Sequence, residues 1–301
     1  MRGETIKKEK RKETRLSREF LTRKYLFRLD KELCNGCGIC AQICPKEAID
    51  EKPPSIVSGR LKKKPVIDID SKSCVFCGEC VVLCPFNALK MEVDGEETTN
   101  VVKNEAFPVL LKEIQVEKNV CHFKPECNLE CVESCPTECI KVETQSSEDG
   151  KILRVTEVNI NEPLCFYCKV CESACPLGAI HVKKPFQGTI ELNSELCPEG
   201  CRACIDICRT SAIELGENGK PVISPEFCLF CSACQKVCPK EAINVKRSWV
   251  FNSDIQAAAW LTALKKLTST ETVARKLQAK SGKKRRSRIK DRMKKKRLDL
   301  I

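Results

Sequence analysis

The sequence predicts an α+β protein of three tandem modules, each made of short antiparallel strands and short helices, with a basic helical extension at the C-terminus. Three observations predict it. Of 301 residues, 25 are cysteine, and all but one fall into six four-cysteine groups that begin at Cys34, Cys74, Cys121, Cys165, Cys197 and Cys228. Every group is preceded by a short segment of alternating apolar and polar residues and followed by another. One such unit (strand, cysteine loop, short helix, strand) is too small to bury a core, so two must pack together. Six units then give three modules, at 27–95, 110–185 and 188–250.

The elements follow in chain order. Residues 1–26 read as a basic arm, since positions 1–28 hold 11 Lys/Arg against 4 Asp/Glu. In the first module, period-two alternation predicts strands at Tyr25-Leu-Phe-Arg-Leu, Ala48-Ile, Val66-Ile-Asp-Ile-Asp and Ala88-Leu-Lys-Met. The polar stretch Asp94-Gly-Glu-Glu-Thr-Thr-Asn opens the link to the second module. That module's strands are predicted at Glu113-Ile-Gln-Val-Glu, Cys139-Ile-Lys-Val, Val155-Thr-Glu-Val-Asn and Ala179-Ile-His-Val, with Gln145-Ser-Ser-Glu-Asp-Gly as a surface loop. The third module gives Gly188-Thr-Ile-Glu-Leu, Ala212-Ile-Glu-Leu, Lys220-Pro-Val-Ile-Ser and Ala242-Ile-Asn-Val. Past residue 250, the spacing of Ala257, Trp260, Leu264 and Leu267 is helical. Thr268-x-x-Glu271 is a capping box for a second helix that Ser281-Gly282 would end, and a very basic stretch runs from Lys283 to Arg297. Residues 251–301 form the extension.

The cysteine chemistry is read from spacing. Four groups are Cys-x2-Cys-x2-Cys-x3-Cys-Pro; those at Cys121 and Cys197 are looser, with spacings x5, x3, x3 and x3, x2, x3. Three close thiolates can occupy three corners of a cubane [4Fe–4S] cluster, while the fourth cysteine points away and ligates the other cluster of its module. The expected ligand sets are therefore crossed. They are Cys34, Cys37, Cys40 with Cys84, and Cys74, Cys77, Cys80 with Cys44. The second module gives Cys121, Cys127, Cys131 with Cys175, and Cys165, Cys168, Cys171 with Cys135. The third gives Cys197, Cys201, Cys204 with Cys238, and Cys228, Cys231, Cys234 with Cys208. Six [4Fe–4S] clusters are expected. Zinc is the competing reading, but zinc sites usually pair two separated Cys-x-x-Cys units rather than four thiolates in one loop.

Several residues stand out beside the ligands. Proline follows the fourth cysteine of every group but the fifth, where Arg209 stands as either a surface residue or a tuning charge. Bulky residues inside the loops (Val75-Phe76, Phe166-Tyr167, Leu229-Phe230) are either plain core or a shield against water. Cys139 occupies the slot that is alanine in the five sibling repeats (Ala48, Ala88, Ala179, Ala212, Ala242), and reads as a small buried hydrophobe.

Composition excludes other classes. The opening Met1-Arg-Gly-Glu-Thr-Ile-Lys-Lys has no apolar signal segment, so the cysteines are expected as metal ligands in the cytoplasm rather than as secreted disulfides. No run is long and apolar enough to span a membrane. There is no phosphate-binding glycine loop, and His122 and His181 lack a nucleophile–carboxylate context, so neither a catalytic site nor a small-molecule substrate is expected. The net charge of +12 is unevenly spread. Residues 246–301 carry 18 Lys/Arg against 4 Asp/Glu, whereas the cysteine-bearing middle is acidic. The basic ends read as solvated or as docking segments for an acidic partner; nucleic acid is not expected, because no aromatics are interleaved for stacking.

The cysteine groups resemble bacterial-type two-cluster ferredoxins, and their tandem array over 27–250 resembles archaeal polyferredoxins. The segments Cys84-Pro-Phe-Asn-Ala-Leu and Ala106-Phe-Pro-Val-Leu, with the Trp260 helix, look like the polyferredoxin component of tungsten or molybdenum formylmethanofuran dehydrogenase, although that family carries one more module. The resemblance implies an electron-transfer subunit without a catalytic site of its own, relaying low-potential electrons in an anaerobic archaeal complex. Its partners would be the catalytic subunits of a formylmethanofuran dehydrogenase-like complex, or of a hydrogenase or heterodisulfide reductase complex, together with ferredoxin. The clusters are expected to form one continuous path, electrons entering at one terminal module and leaving at the other or through a side branch, with the second and third modules in close contact and the longer link from Asp94 to about Val109 as break or hinge.

Overall fold

The structure is a computed structural model that describes residues 3–121, 127–146 and 152–269. The second capping box, the basic stretch beyond Lys283, His122 and most of the 145–150 loop lie outside the described residues.

The first module is built from β1 (Thr5–Glu9), β2 (Glu13–Glu19), β3 (Lys24–Asp30), α1 (Ile39–Ile43), β4 (Ile49–Lys52), β5 (Ser55–Val57), β6 (Arg60–Lys63), β7 (Val66–Ile69), α2 (Glu79–Val82), β8 (Leu89–Val93) and β9 (Glu96–Glu97). Its first cysteine-flanking strand pairs with its last, β3 with β8, and the two middle strands pair with each other, β4 with β7, all antiparallel. That exchange is what crosses the two units. The short helix α3 (Asn100–Lys103) follows in the link.

The second module repeats the plan with β10 (Glu113–Val116), α4 (Lys118–Cys121), α5 (Glu130–Glu133), β11 (Ile140–Ser146), β12 (Ile152–Ile160), α6 (Val170–Ala174) and β13 (Ile180–Lys183); β10 pairs with β13 and β11 with β12. The third has β14 (Phe186–Leu192), α7 (Ala203–Ile207), β15 (Ile213–Leu215), β16 (Pro221–Ile223), α8 (Ala233–Val237) and β17 (Ile243–Val250), with β14 on β17 and β15 on β16. Each strand predicted beside a cysteine group is present. Within every module the two short helices pack on each other.

Residues 5–19, read from the sequence as part of a basic arm, instead form the hairpin β1–β2, which extends the β3–β8 sheet to the order β1-β2-β3-β8-β9. The physical reason lies in β2: Thr14 and Leu16 point inward and are buried, while Arg15 and Ser17 alternate outward. Lys7 pairs with Asp68 at 2.6 Å, and Arg18 donates to the Cys74 carbonyl at 2.9 Å and lies over the Phe76 ring at 4.9 Å. The hairpin's charge therefore covers the second cysteine loop.

The helix expected after residue 250 is α9 (Ala258–Thr268), which buries Trp260, Ala263 and Leu267 against α1 and β17. Trp260 meets Phe107 edge to face, centroids 5.2 Å apart, and Leu110 bridges to Asn252. The 95–110 link is therefore packed and is no hinge.

The modules do not stand in a row. The first touches both others. Phe86 packs on Phe166 of the second module at 5.0 Å, and Asn87 donates to the Pro163 carbonyl at 3.1 Å. Toward the third, Arg60 pairs with Asp206 at 3.0 Å, Glu51 pairs with Lys236, and Arg209 donates to the Glu32 carbonyl at 2.6 Å. One continuous core spans the first and third modules and takes in Phe166, while the rest of the second keeps its own core around Cys139, Ile140, Tyr167, Ile180 and Val182.

Candidate metal centres

The cysteine loops are turned by backbone in the left-handed region. Among the described residues, the one before the second cysteine has positive φ whatever its type: Gly36 (71°), Phe76 (54°), Tyr167 (56°), Gly200 (72°) and Phe230 (49°). Glycine adopts this freely, whereas Phe and Tyr there cost about 1–2 kcal/mol each. A second such residue lies three positions after the fourth cysteine in all six groups: Glu47, Asn87, Glu138, Gly178, Ser211 and Glu241. That turn aims the next amide back at the sulfur. Ala48, Ala179 and Ala242 donate N–H to the Sγ of Cys44, Cys175 and Cys238 at 3.4, 3.4 and 3.2 Å. Tyr167 and Phe230 likewise donate to the Sγ of Cys165 and Cys228. The repeated alanine is thus the small residue whose amide caps a sulfur.

These loops bring the cysteines together in the crossed sets. Four enclosed hollows are walled by Cys34, Cys37, Cys40 and Cys84; by Cys121, Cys127, Cys131 and Cys175; by Cys165, Cys168, Cys171 and Cys135; and by Cys197, Cys201, Cys204 and Cys238. Cys44 faces Cys74, Cys77 and Cys80, and Cys208 faces Cys228, Cys231 and Cys234. All 25 cysteines are free of disulfides.

Burial is the main force on most of these thiols. It pushes Cys77 and Cys131 up to about 11 and Cys171, Cys204 and Cys228 up to about 12, with neighbouring sulfurs adding to the effect. Four thiolates cannot share such a hollow unless a cationic core is among them. Among the described residues, no three Cys, His, Asp or Glu side chains converge as a single metal ion requires. The donor set, its spacing around a cavity and the N–H groups aimed at sulfur all fit a polynuclear iron–sulfur core.

Phe76, Phe166, Tyr167, Leu229 and Phe230 are buried against these sites, while Val75 is exposed. Cys139 is 3 % exposed and lies in the alanine slot. Its Sγ is 3.5 Å from Cys135 Sγ and it also hydrogen bonds Cys165, so that Cys135 is pushed up to about 12, first by Cys139 and then by burial, and Cys165 is held below the ordinary thiol range. His181 is exposed on Glu117 at 2.9 Å, with no cysteine partner.

Of four cations at the module seams, sequence reasoning singled out only Arg209, as either a surface residue or a tuning charge, and missed the other three. Lys112, Lys184, Arg209 and Arg247 are each lowered from their ordinary values by burial, an effect that nearby cysteine sulfurs oppose. Sequence reasoning also missed an open groove of about 410 Å³ lined by Arg11, Lys12, Lys31, Lys62, Lys63 and Lys64, which reaches down to Cys34.

The 4Fe-4S dicluster domain family matches residues 33–88, 125–179 and 196–242, more than half of the chain and one match per module. A chain in the formate dehydrogenase–heterodisulfide reductase–formylmethanofuran dehydrogenase complex of Methanospirillum hungatei is similar in structure, with a TM-score of 0.74 and 28% identity, covering 89% of this chain and 92% of that one. Formate hydrogenlyase subunit 2 of Escherichia coli is 27% identical over 164 residues, 48% of this chain and 73% of the relative. The polyferredoxin protein MvhB of Methanothermobacter marburgensis is 28% identical over 106 residues, 32% of this chain and 24% of the relative. The matched span falls as low as 12% of the length of a curated relative. Among the described residues no helix is long and apolar enough to cross a membrane. With three dicluster modules, this chain belongs to the 4Fe-4S dicluster domain family and is an iron–sulfur electron-transfer protein of the polyferredoxin kind.

Proposed function

We propose that the chain holds six [4Fe–4S] clusters on the crossed ligand sets and serves as the electron-transfer subunit of a cytoplasmic formylmethanofuran dehydrogenase complex that reduces CO2 in methanogenesis. The single observation that carries the cluster reading is that four hollows are each walled by three cysteines of one loop and the fourth of its sister loop, Cys139 lining one of them as well. When bound, the clusters supply one-electron redox chemistry. The chain's own residues gather the sulfurs, exclude water with Phe76, Phe166, Tyr167, Leu229 and Phe230, and offer N–H groups that favour the more negative, reduced state. In this reading the bond chemistry belongs to the catalytic partner.

The similarity to a chain of the Methanospirillum complex over nine-tenths of both chains supports formylmethanofuran dehydrogenase as the partner. Similarity to MvhB and to a formate hydrogenlyase component supports a second reading, an electron carrier for a hydrogenase or heterodisulfide reductase complex. The basic groove over Cys34 is the docking surface for an acidic redox partner, ferredoxin included, since it gathers five Lys and one Arg against the single acid Glu32 and is lined by the ligand residue Cys34. Anaerobic purification should bring down formylmethanofuran dehydrogenase catalytic subunits. The Lys62→Glu/Lys63→Glu variant should bind its electron donor more weakly, and the difference should shrink as salt rises past the point where the Debye length is about 8 Å. Recovery with a hydrogenase alone would favour the second reading, and salt-insensitive, unchanged binding would remove the groove from the interface.

Cys139→Ala should leave iron content and folding as in the wild type, because five sibling repeats already use alanine in that slot. A loss of about four irons per chain would make Cys139 a ligand.

A further inference from the structure

Where the three modules meet, three of the six sites face one another: those of Cys34, Cys165 and Cys228. Each seam between two of these sites holds one cation. Between the first and second modules, Lys112 faces Cys84 and Cys165, donates to Asn87 Oδ1 at 2.7 Å and lies over the Tyr167 ring at 5.0 Å. Between the second and third, Lys184 faces Cys168 and Cys228, donates to the Cys228 carbonyl at 3.1 Å and lies over the Phe230 ring at 5.2 Å. Between the first and third, Arg247 faces Cys37 and Cys231, and donates to the Phe230 carbonyl at 2.7 Å and to Gln42 Oε1 at 2.8 Å. Arg209, beside Cys208, closes the junction: it faces Cys34 and lies over the Phe166 ring at 5.3 Å.

None of the four forms an ion pair with a carboxylate among the described residues. Glu162 and Glu226 act on Lys112 and Lys184 less than the cysteines do, whereas Asp30 acts on Arg209 more than Cys34 does. Burying a cation is costly unless an anion compensates it. At these seams, the anions on offer are the loaded sites on either side. Arg18, near Cys74, and Lys220, near Cys197, each serve one outer site only.

We propose that Lys112, Lys184 and Arg247 are positioning residues that each neutralise two clusters across one seam, so that the three inner clusters share a raised potential and form a three-way junction that links the modules. The proposal rests on the cluster reading above. A one-electron reduction takes a cubane core from +2 to +1, and a fixed cation nearby favours the more negative product.

The test is an anaerobic redox titration of the full chain followed by EPR, with iron and sulfide measured on every variant. Lys112→Met should make reduction of two clusters about tenfold less favourable, about 59 mV lower for one electron, and leave four unmoved. Lys184→Met and Arg247→Met should each shift a different pair, so that every inner cluster moves in two variants and no outer cluster moves in any. The charge-conserving Lys112→Arg, Lys184→Arg and Arg247→Lys should restore the wild-type titration. Full iron with six unmoved potentials in any Met variant would overturn the role of that cation. If a Met variant loses iron, its charge-conserving partner decides: equal loss there marks a packing role and overturns the proposal. Iron far below six clusters in the wild type would instead overturn the cluster reading itself.

Discussion

Cys168→Ala should remove one cluster, about four irons per chain, and isolate the outer site of the second module without cutting the route between the first and third. The reason is the direct contact of the Cys34 and Cys228 sites. Asn35 Nδ2 lies 3.8 Å from Cys231 Sγ, while its Oδ1 accepts the Cys37 amide at 3.1 Å. A linear order would route every electron from the first module to the third through Cys168; the folded order does not. The matched variant Cys231→Ala should isolate the outer site of the third module in the same way. Stopped-flow reduction of the outer clusters, resolved by rapid-freeze EPR, separates the cases. Arrest of transfer between the first and third modules in Cys168→Ala would restore the linear order and refute the junction.

Trp260→Ala should destabilise the packing of α9 and the 95–110 link by about 3–5 kcal/mol, the usual cost of deleting a fully buried large aromatic. Trp260 is 2 % exposed, and its edge-to-face contact with Phe107 fastens a C-terminal helix to a link between two modules. Lys266 of the same helix donates to the Ile43 carbonyl at 3.1 Å, directly before Cys44. Loss of the anchor should therefore expose α1 as well as α9. Hydrogen exchange read amide by amide should show lost protection at both, with the second module's own core unaffected. Loss below about 1 kcal/mol would mean that α9 is held by its other contacts.

Much of this was legible in the sequence because cysteine spacing and period-two alternation are both local. The strands at Val66–Ile69 and Ile180–Lys183 show the alternation openly, and the position of the fourth cysteine implies the crossing. The β1–β2 hairpin was hidden because its inward residues, Thr14 and Leu16, are only two among Lys, Arg and Glu, so charge outweighed the pattern. The left-handed residues at position three after each fourth cysteine are Glu, Asn, Gly and Ser, chemically too varied to be recognised as one turn. Module assembly is non-local. Nothing near Phe86 in the sequence announces Phe166, and nothing near Arg209 announces Glu32. Lys112, Lys184 and Arg247 follow from that assembly, so they became visible only with it; Arg209 stood out in the sequence because it replaces a proline.

The most direct test of the central claim is metal and sulfide analysis of the anaerobically purified chain. Six cubanes require about 24 irons and as many acid-labile sulfides per chain, with no stoichiometric zinc. About 12 irons would leave half of the cysteine sets without clusters, and zinc without sulfide would contradict the account outright.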